Sequence, residues 1–164
     1  MLKFLIFGFI TLTAGLLLAN IYSSLVDAPA WDADIPASVQ AAREHYKNHN
    51  PGDFFRIFSP VNQLLGFLTV VFFWNTSRHA RLFFGLAFLL AISADIMTFT
   101  YFYPRNTIIF ESSLTDNLEN IRAASAQWLT MNWVRSLIVA LALCFAFLGL
   151  NEVYKKEFVP KLDM

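Results

Sequence analysis

The sequence predicts an all-α fold: an integral-membrane four-helix bundle with short extramembrane helices in its two outer loops. The composition supports this, because 57% of the 164 residues are apolar, 15% are charged, and the mean hydropathy is +0.51. Soluble domains have about half apolar and about a quarter charged residues. Four windows also reach the roughly 20 apolar residues that a helix needs to cross a bilayer. They are Leu2–Tyr22, Phe54–Trp74, Leu82–Tyr103 and Trp128–Leu150.

We expect residues 1–164 to form a single membrane domain, with outer loops at 23–53 and 104–127 and a cytoplasmic tail at 151–164. A soluble helical bundle is the alternative, but runs such as "LLGFLTVVFFW" and "LFFGLAFLLAI" have no polar face to present to water. The first window also has features of a secretory signal, since Lys3 precedes an apolar run. That run is longer than a usual signal core, and Pro29 would follow the cut, so we expect the helix to be retained.

Basic residues predict the orientation of the four spans. An even number of spans places the N-terminus, the turn "NTSRHAR" and the C-terminal tail on one side, and the opposite loops are acidic or mixed. The positive-inside rule then puts both termini in the cytoplasm, with the chain spanning the cell membrane several times. The basic residues on the predicted inner side are Lys3, Arg78, Arg81, Lys155, Lys156 and Lys161.

Both outer loops are too long to be simple connections. Residues 35–49 have a helix-forming composition that stops at "NPG", and residues 112–127 follow a Ser/Thr start with a helical pattern. We expect each loop to form a surface helix that caps the bundle. Such a cap can close a pocket.

Several classes of function are disfavoured. Cys144 is the single cysteine, expected as a small buried hydrophobe in the last span, so no dithiol motif exists and quinone-linked thiol oxidoreductases are excluded. A nucleic-acid partner is not expected, because the net charge is zero and topology accounts for the basic residues. Transport is poorly supported, since no inverted repeat is visible, and a conducting path would need a homo-oligomer. The expected partners are the lipid bilayer and a lipophilic small molecule.

Two ionisable residues lie within the predicted spans. Arg135 is seven positions inside the outer end of the fourth helix, and Asp95 is eight positions from the outer end of the third. At the helical rise, these positions are roughly 10 Å and 12 Å deep. Isolated charges at such depth cost at least about 2–3 kcal/mol and normally face inward and pair. We therefore expect Asp95 and Arg135 to form an ion pair.

Polar side chains on neighbouring helices lie at the same depth and predict one polar cluster in the outer half of the bundle. They are Asn62, Gln63, Thr98 and Asn132, with Asn20 near the outer end of the first helix. That helix also has a stripe of small residues expected to approach a neighbour closely, comprising Gly8, Thr11, Gly15, Ala19 and Tyr22. The cluster either fixes helix packing through interhelical hydrogen bonds or lines a cavity that binds or transforms a ligand.

A metal site is not predicted. His45 and His49 are separated by four residues and would share one face of a loop helix, with Glu44 adjacent. Two histidines do not make a site, and a third ligand would have to come from the second outer loop.

Four segments carry a resemblance to a known family. "TAGLLLA", "NPGDFF", "PRNTII" and "WLTMNWVRS" resemble, in order and spacing, the anthrone oxygenase-like family of small four-helix membrane proteins. The most specific elements are P-x-N-x-x-I and W-x-x-x-N-x-x-R. In this sequence they comprise Pro104, Asn106, Ile109, Trp128, Asn132 and Arg135.

The resemblance implies oxidation of polyphenolic anthrones to anthraquinones with dioxygen, and the sequence requires no cofactor for it. Such substrates are acidic, so a base, a cation for the enolate and a dry pocket suffice. From this chemistry we expect Asp95 to be the base and Arg135 to hold the oxyanion. Asn106 and Asn132 would orient the substrate and Trp128 would stack on it. The alternative is a non-catalytic membrane scaffold or interaction protein whose polar cluster only fixes packing.

Overall fold

The structure, a computed structural model, describes residues 2–158, so Lys161 and the end of the predicted tail lie outside the described residues. The helices are α1 (Lys3–Tyr22), α2 (Ala28–Asp32), α3 (Ala37–His45), α4 (Pro51–Phe72), α5 (Arg78–Met97), α6 (Tyr103–Glu111) and α7 (Leu118–Phe158). Two π-helical segments, Ser23–Asp27 and Thr98–Phe102, join α1 to α2 and α5 to α6.

Four continuous helical stretches are long and apolar enough to cross a membrane: Lys3–Asp32, Pro51–Phe72, Arg78–Glu111 and Leu118–Lys156. The predicted fold class is therefore confirmed, and the protein is an all-helical membrane protein. Four-helix bundles bury their cores between helices that pack against two neighbours each. Here the contacts join α1 to α4, α4 to α5, α5 to α7 and α7 to α1, which closes the ring.

One end of the bundle carries α2, α3 and α6 and is called the capped end. Its helices differ in detail from those that the sequence predicts. The first loop forms the short helix α3, as expected. The helical pattern in residues 112–127 instead becomes the first turns of α7, which runs without a break from Leu118. Because no proline or glycine interrupts the sequence between residues 118 and 148, nothing separates a cap helix from the spanning helix.

Two arginines fasten the cap to the bundle. Arg43 on α3 donates from Nε to the Ile109 carbonyl at 3.0 Å and from Nη1 to the Ser112 carbonyl at 2.8 Å. These carbonyls lie at the C-terminal end of α6, where helices leave acceptors unpaired. Arg122 on α7 donates to the Ile35 carbonyl at 3.3 Å. Burial lowers the pKa of the Arg43 guanidinium.

The interior is arranged in three layers along the bundle axis. An apolar core that includes Ile6, Phe9, Phe84 and Ala146 fills the end opposite the cap. A second apolar core fills the capped end, with buried members such as Trp31, Val39, Phe102, Ile109, Ile121 and Trp128. On α1, α5 and α7 the polar positions fall between these two cores in the sequence, so they meet at one level.

Two glycines allow the helices to approach closely. A β-carbon built at Gly149 would lie 2.5 Å from Phe84 Cε1, and one at Gly66 would lie 2.9 Å from Phe9 Cε2. Small residues at such crossings are typical of membrane helices.

The stripe of small residues predicted on α1 approaches a neighbour only in part, at Gly8, where a β-carbon would lie 3.1 Å from Leu65 Cδ1. Thr11 and Gly15 are exposed, and a β-carbon at Gly15 would meet nothing within 4 Å. The buried face instead carries large apolar side chains together with Thr13 and Asn20. Cys144 is also exposed on the bundle surface, which corrects its expected burial.

Candidate functional site

The polar side chains at mid-bundle form one continuous group, called the polar layer below. Each spanning helix contributes: α1, α5 and α7 from positions between the two apolar cores, and α4 through Asn62 and Gln63. The members are Thr13, Asn20, Ser24, Asn62, Gln63, Asp95, Thr98, Asn132 and Arg135.

Arg135 is the charged centre of this layer and is 6% exposed. Its Nη2 donates to Asn132 Oδ1 at 2.6 Å, and its Nη1 donates to Thr98 Oγ1 at 3.1 Å. Two rings face the guanidinium: Phe102, whose centroid is 4.1 Å from Cζ, and Phe55 at 5.5 Å. Rings at such distances stabilise a desolvated cation. The Arg135 Nε atom is buried and has no hydrogen-bond partner within the described part of the chain.

The predicted direct ion pair between Asp95 and Arg135 is not formed, which corrects that expectation. Asp95 Oδ2 instead accepts a hydrogen bond from Gln63 Nε2 at 2.8 Å, and among the described side chains of residues 2–156 no ion pair involves Arg135. The guanidinium donates instead to the neutral oxygens of Thr98 and Asn132. Since the hydrogen-bond partners of this guanidinium are neutral oxygens, no direct contact with a carboxylate neutralises its charge.

Asp95 and Arg135 nevertheless line the same cavity, called the inner cavity below, together with Gln63 and Asn20. Its volume is about 20 Å³, which holds about one water-sized molecule. Three of its lining polar atoms are buried without a protein partner in residues 2–158: Arg135 Nε, Gln63 Oε1 and Asn20 Oδ1. One donor and two acceptors around a small space suit a small polar molecule or one polar atom of a larger ligand.

Asn132 and Asn62 connect the first helix to its neighbours. Asn132 Nδ2 donates to the Asn20 carbonyl at 2.8 Å and to Ser24 Oγ at 2.7 Å. Asn62 Oδ1 accepts from Thr13 Oγ1 at 3.1 Å. These bonds hold α1 against both α7 and α4, so they fix the walls of the inner cavity.

Both π-helical segments lie at the polar layer. Ser24 falls in the first and Thr98 begins the second, and these are the side chains that contact Asn132 and Arg135. A π-helical turn widens a helix locally and often marks a functional position. The sequence gives no pattern that predicts either segment.

Asn106 and Trp128 lie outside the inner cavity. Trp128 Nε1 donates to Asn106 Oδ1 at 2.9 Å, and the Trp128 indole packs edge-on against Trp31 and Phe102 with centroids 5.1 Å and 5.3 Å away. The pair joins α6 to α7 within the capped-end core.

Of the predicted site residues, the structure brings together Asn62, Gln63, Asp95, Thr98 and Arg135 around the inner cavity. Asn132 contacts Arg135 through a hydrogen bond.

The geometric basis for a two-histidine metal site is absent. Helix α3 ends at His45, so His49 does not share a helical face with it. The His49 Nδ1 atom lies 3.6 Å from Asp53 Oδ2, and its side chain is 93% exposed. Among the described residues, no three His, Cys, Asp or Glu side chains come together.

A second, wider pocket of about 520 Å³ lies at the capped end and opens to the surface; it is called the vestibule below. Its walls include Tyr22, Asp27, His45, Tyr46, Phe54 and Phe55. Asp27 accepts from Ser23 Oγ at 3.0 Å and from the Tyr46 hydroxyl at 3.3 Å. Burial, and after it the Asp27 carboxylate, raises the pKa of Tyr46 to about 12, so its phenol stays protonated at neutral pH.

Sequence reasoning missed Thr13, Ser24 and Phe55. Thr13 lies two positions from Thr11, on the opposite face, and only the packing of α1 distinguishes them. Ser24 follows the end of the apolar window. Phe55 belongs to a run of aromatic and apolar residues, and nothing in the sequence distinguishes it as a residue that lines both pockets.

These features define a class: a four-helix membrane protein with a buried cationic polar site at mid-bundle. Comparison with known proteins adds the family. Residues 54–145, more than half of the chain, match the family described as Anthrone oxygenase, and the chain belongs to this family. The match includes Gln63, Asp95 and Arg135. No curated protein and no solved structure matched the chain.

Proposed function

We propose that the protein is a membrane oxygenase that oxidises a lipophilic, acidic aromatic substrate of the anthrone type with dioxygen. The observation that carries the proposal is that Asp95 and Arg135 line one small cavity without neutralising each other directly. A base and a separate cation are the two groups that formation of an enolate requires. Membership of the Anthrone oxygenase family supports the reaction class.

Asp95 is the proposed base. Gln63 orients its carboxylate through one oxygen, which leaves the other oxygen for a substrate proton. Arg135 is the proposed oxyanion holder, because its Nε has no protein partner in the described chain and its two Nη atoms are held in place by one hydrogen bond each, to Thr98 and Asn132. Fixed donors need no reorganisation when charge develops.

With dioxygen as the oxidant, the reaction balances without a further co-reactant. Asp95 removes a proton from the substrate methylene, and the enolate oxygen takes its charge against Arg135. The enolate carbon forms a bond with dioxygen, and the resulting peroxide anion takes the proton back from Asp95. Asp95 then takes the second methylene hydrogen as a proton while the O–O bond breaks to give the carbonyl, and this proton and the departing hydroxide form one water. Dioxygen is the oxidant and the methylene carbon is oxidised.

We further propose the predicted orientation, with both termini in the cytoplasm and the capped end outside the cell membrane. The basic residues opposite the cap support it. Cysteine-accessibility labelling in intact cells, with a membrane-impermeant reagent on positions 44 and 78, distinguishes the two orientations.

The test of function uses purified protein in lipid nanodiscs with dihydroxyanthrone, following oxygen uptake and quinone absorbance against empty nanodiscs. Asp95→Asn keeps a hydrogen-bond acceptor for Gln63 but removes the base, so we expect kcat to fall about 100-fold or more. Asp116→Asn, on an exposed position of the second loop, is the matched control and should leave kcat unchanged. Parent turnover no faster than the background, or full activity in Asp95→Asn, overturns the proposal.

The second candidate is a non-catalytic scaffold in which the polar layer only fixes helix packing. The direct contact between Asn132 and Arg135, and the small size of the inner cavity, favour it. It predicts that Asp95→Asn and Arg135→Gln lower thermal stability while the parent protein shows no turnover.

A further inference from the structure

The vestibule and the inner cavity share one wall. Phe55 lines both of them, and the vestibule's other lining residues do not reach the inner cavity. The Phe55 ring makes an edge-to-face contact with Phe54, with centroids 5.5 Å apart, and Arg135 Cζ is 5.5 Å from the Phe55 centroid. Phe55 is half-buried, so a change of its side-chain rotamer is enough to alter the wall between the two spaces.

The sizes of the two spaces determine what each can hold. The inner cavity, about 20 Å³, has room for a water-sized molecule such as dioxygen but not for a fused aromatic ring system. The vestibule, about 520 Å³, falls within the range of small-molecule sites, roughly 300–1,000 Å³. A planar substrate therefore fits first in the vestibule.

The chemistry of the vestibule walls suits a flat hydroxylated aromatic molecule. Tyr22, Phe54 and Phe55 present aromatic rings, which favour offset or edge-on contact with another ring. The Asp27–Tyr46 hydrogen bond and His45 add polar groups that can accept or donate to phenolic hydroxyls. Aromatic walls with a few polar groups among them are the usual lining of such a site.

We propose that the vestibule is the docking site for a planar hydroxylated aromatic substrate and that Phe55 is the gate through which its reactive central ring reaches Asp95 and Arg135. The gate function rests on the proposed oxygenase activity, whereas docking in the vestibule does not. When the Phe55 side chain moves aside, the two spaces join, so that the methylene of the central ring lies at Asp95 and the carbonyl oxygen at Arg135 while the outer rings remain between the vestibule walls.

The first experiment locates the bound molecule without using turnover. In a Cys144→Ser background, His45→Cys and Glu44→Cys each give one exposed thiol on α3, and only position 45 lines the vestibule. Dihydroxyanthraquinone, which is already oxidised, serves as the probe. We expect it to slow maleimide labelling of His45→Cys about threefold or more and to leave Glu44→Cys unchanged. Equal labelling of the two thiols at saturating probe overturns docking in the vestibule.

The second experiment tests the gate. Phe55→Trp places a larger side chain between the two spaces, and Phe55→Leu a smaller one. The control is Phe67→Ala, which removes an exposed ring further along α4. We expect Phe55→Trp to lower kcat/KM for dihydroxyanthrone about tenfold or more while probe protection at position 45 persists. Phe55→Leu should raise the rate of substrate entry, seen as a higher kcat/KM, and melting temperatures confirm folding of each variant.

The outcomes separate the two proposals. Turnover that requires Asp95, combined with no protection at position 45, overturns the docking site and leaves the oxygenase proposal standing. Protection at position 45 with no turnover in the parent supports docking and overturns the oxygenase. Protection of the thiol at position 45, together with a kcat/KM that neither Phe55 substitution changes, overturns the gate.

Discussion

The Asn132 side chain links the buried Arg135 guanidinium to the first helix: its oxygen accepts from Arg135 Nη2 at 2.6 Å, and its nitrogen donates to the Asn20 carbonyl at 2.8 Å. One amide thus orients the cation and fixes the spacing of α1 and α7. The residue is fully buried, so no solvent replaces these bonds when they are lost.

We expect Asn132→Ala to lower the free energy of unfolding by about 1–3 kcal/mol, because it leaves a buried donor of Arg135 without its acceptor. Asn151→Ala, on an exposed position of the same helix, should change stability little. Denaturant unfolding in detergent micelles measures both. Equal stability of the two variants would show that Asn132 does not support the site.

Trp128 and Asn106 should be energetically coupled. Their hydrogen bond joins α6 to α7 in the capped-end core, and a net contribution of about 0.5–1.5 kcal/mol is typical of such a bond. A double-mutant cycle with Trp128→Phe and Asn106→Ala measures the coupling from unfolding free energies. Additive effects of the two substitutions would contradict a structural role for the pair.

Gly149→Ala should destabilise the bundle by about 1–3 kcal/mol, since the new methyl would overlap the fully buried Phe84 ring. Gly15→Ala is the matched control, because a β-carbon there meets nothing within 4 Å and alanine favours the helix by about 1 kcal/mol. Melting temperatures of the two variants should therefore move in opposite directions. A melting temperature of Gly149→Ala equal to or above that of the parent would mean that α7 and α5 do not pack as described.

The raised pKa of the Tyr46 phenol makes the stability of the folded protein depend on pH in the alkaline range. Its pKa is raised from 10.0 to about 12, first by burial and then by Asp27. Between these two values the folded protein keeps the proton that the unfolded chain has released, so the free energy of unfolding falls as pH rises. The contribution is complete below about pH 10 and is lost as pH passes about 12.

Tyr46→Phe should remove this pH dependence and weaken the link to Asp27. Unfolding measured at several alkaline pH values, together with tyrosinate absorbance of the parent, tests both points. A parent protein whose tyrosines all titrate near 10 would contradict the buried environment of Tyr46.

The membrane architecture follows from the sequence because long apolar runs have few alternatives. A span of this length without a polar face has to satisfy its backbone hydrogen bonds within a helix and bury its side chains in lipid or in neighbouring helices. The depth of a residue in the membrane also depends only on its own helix, since it follows from the rise per residue. This is why Asp95, Arg135, Asn62, Gln63 and Thr98 could be assigned to one level before any contact was known.

Tertiary structure alone decided which atoms meet at that level. The rotation of α1 about its axis places Thr13 inside the bundle and Gly15 on its surface. The packing of the helices also determines that Arg135 donates to Asn132 and Thr98 and not to Asp95. Such choices depend on side chains from three or four helices at once. The sequence determined how deep each polar group lies, because depth depends on one helix, whereas the partner of each group depends on how all the helices pack.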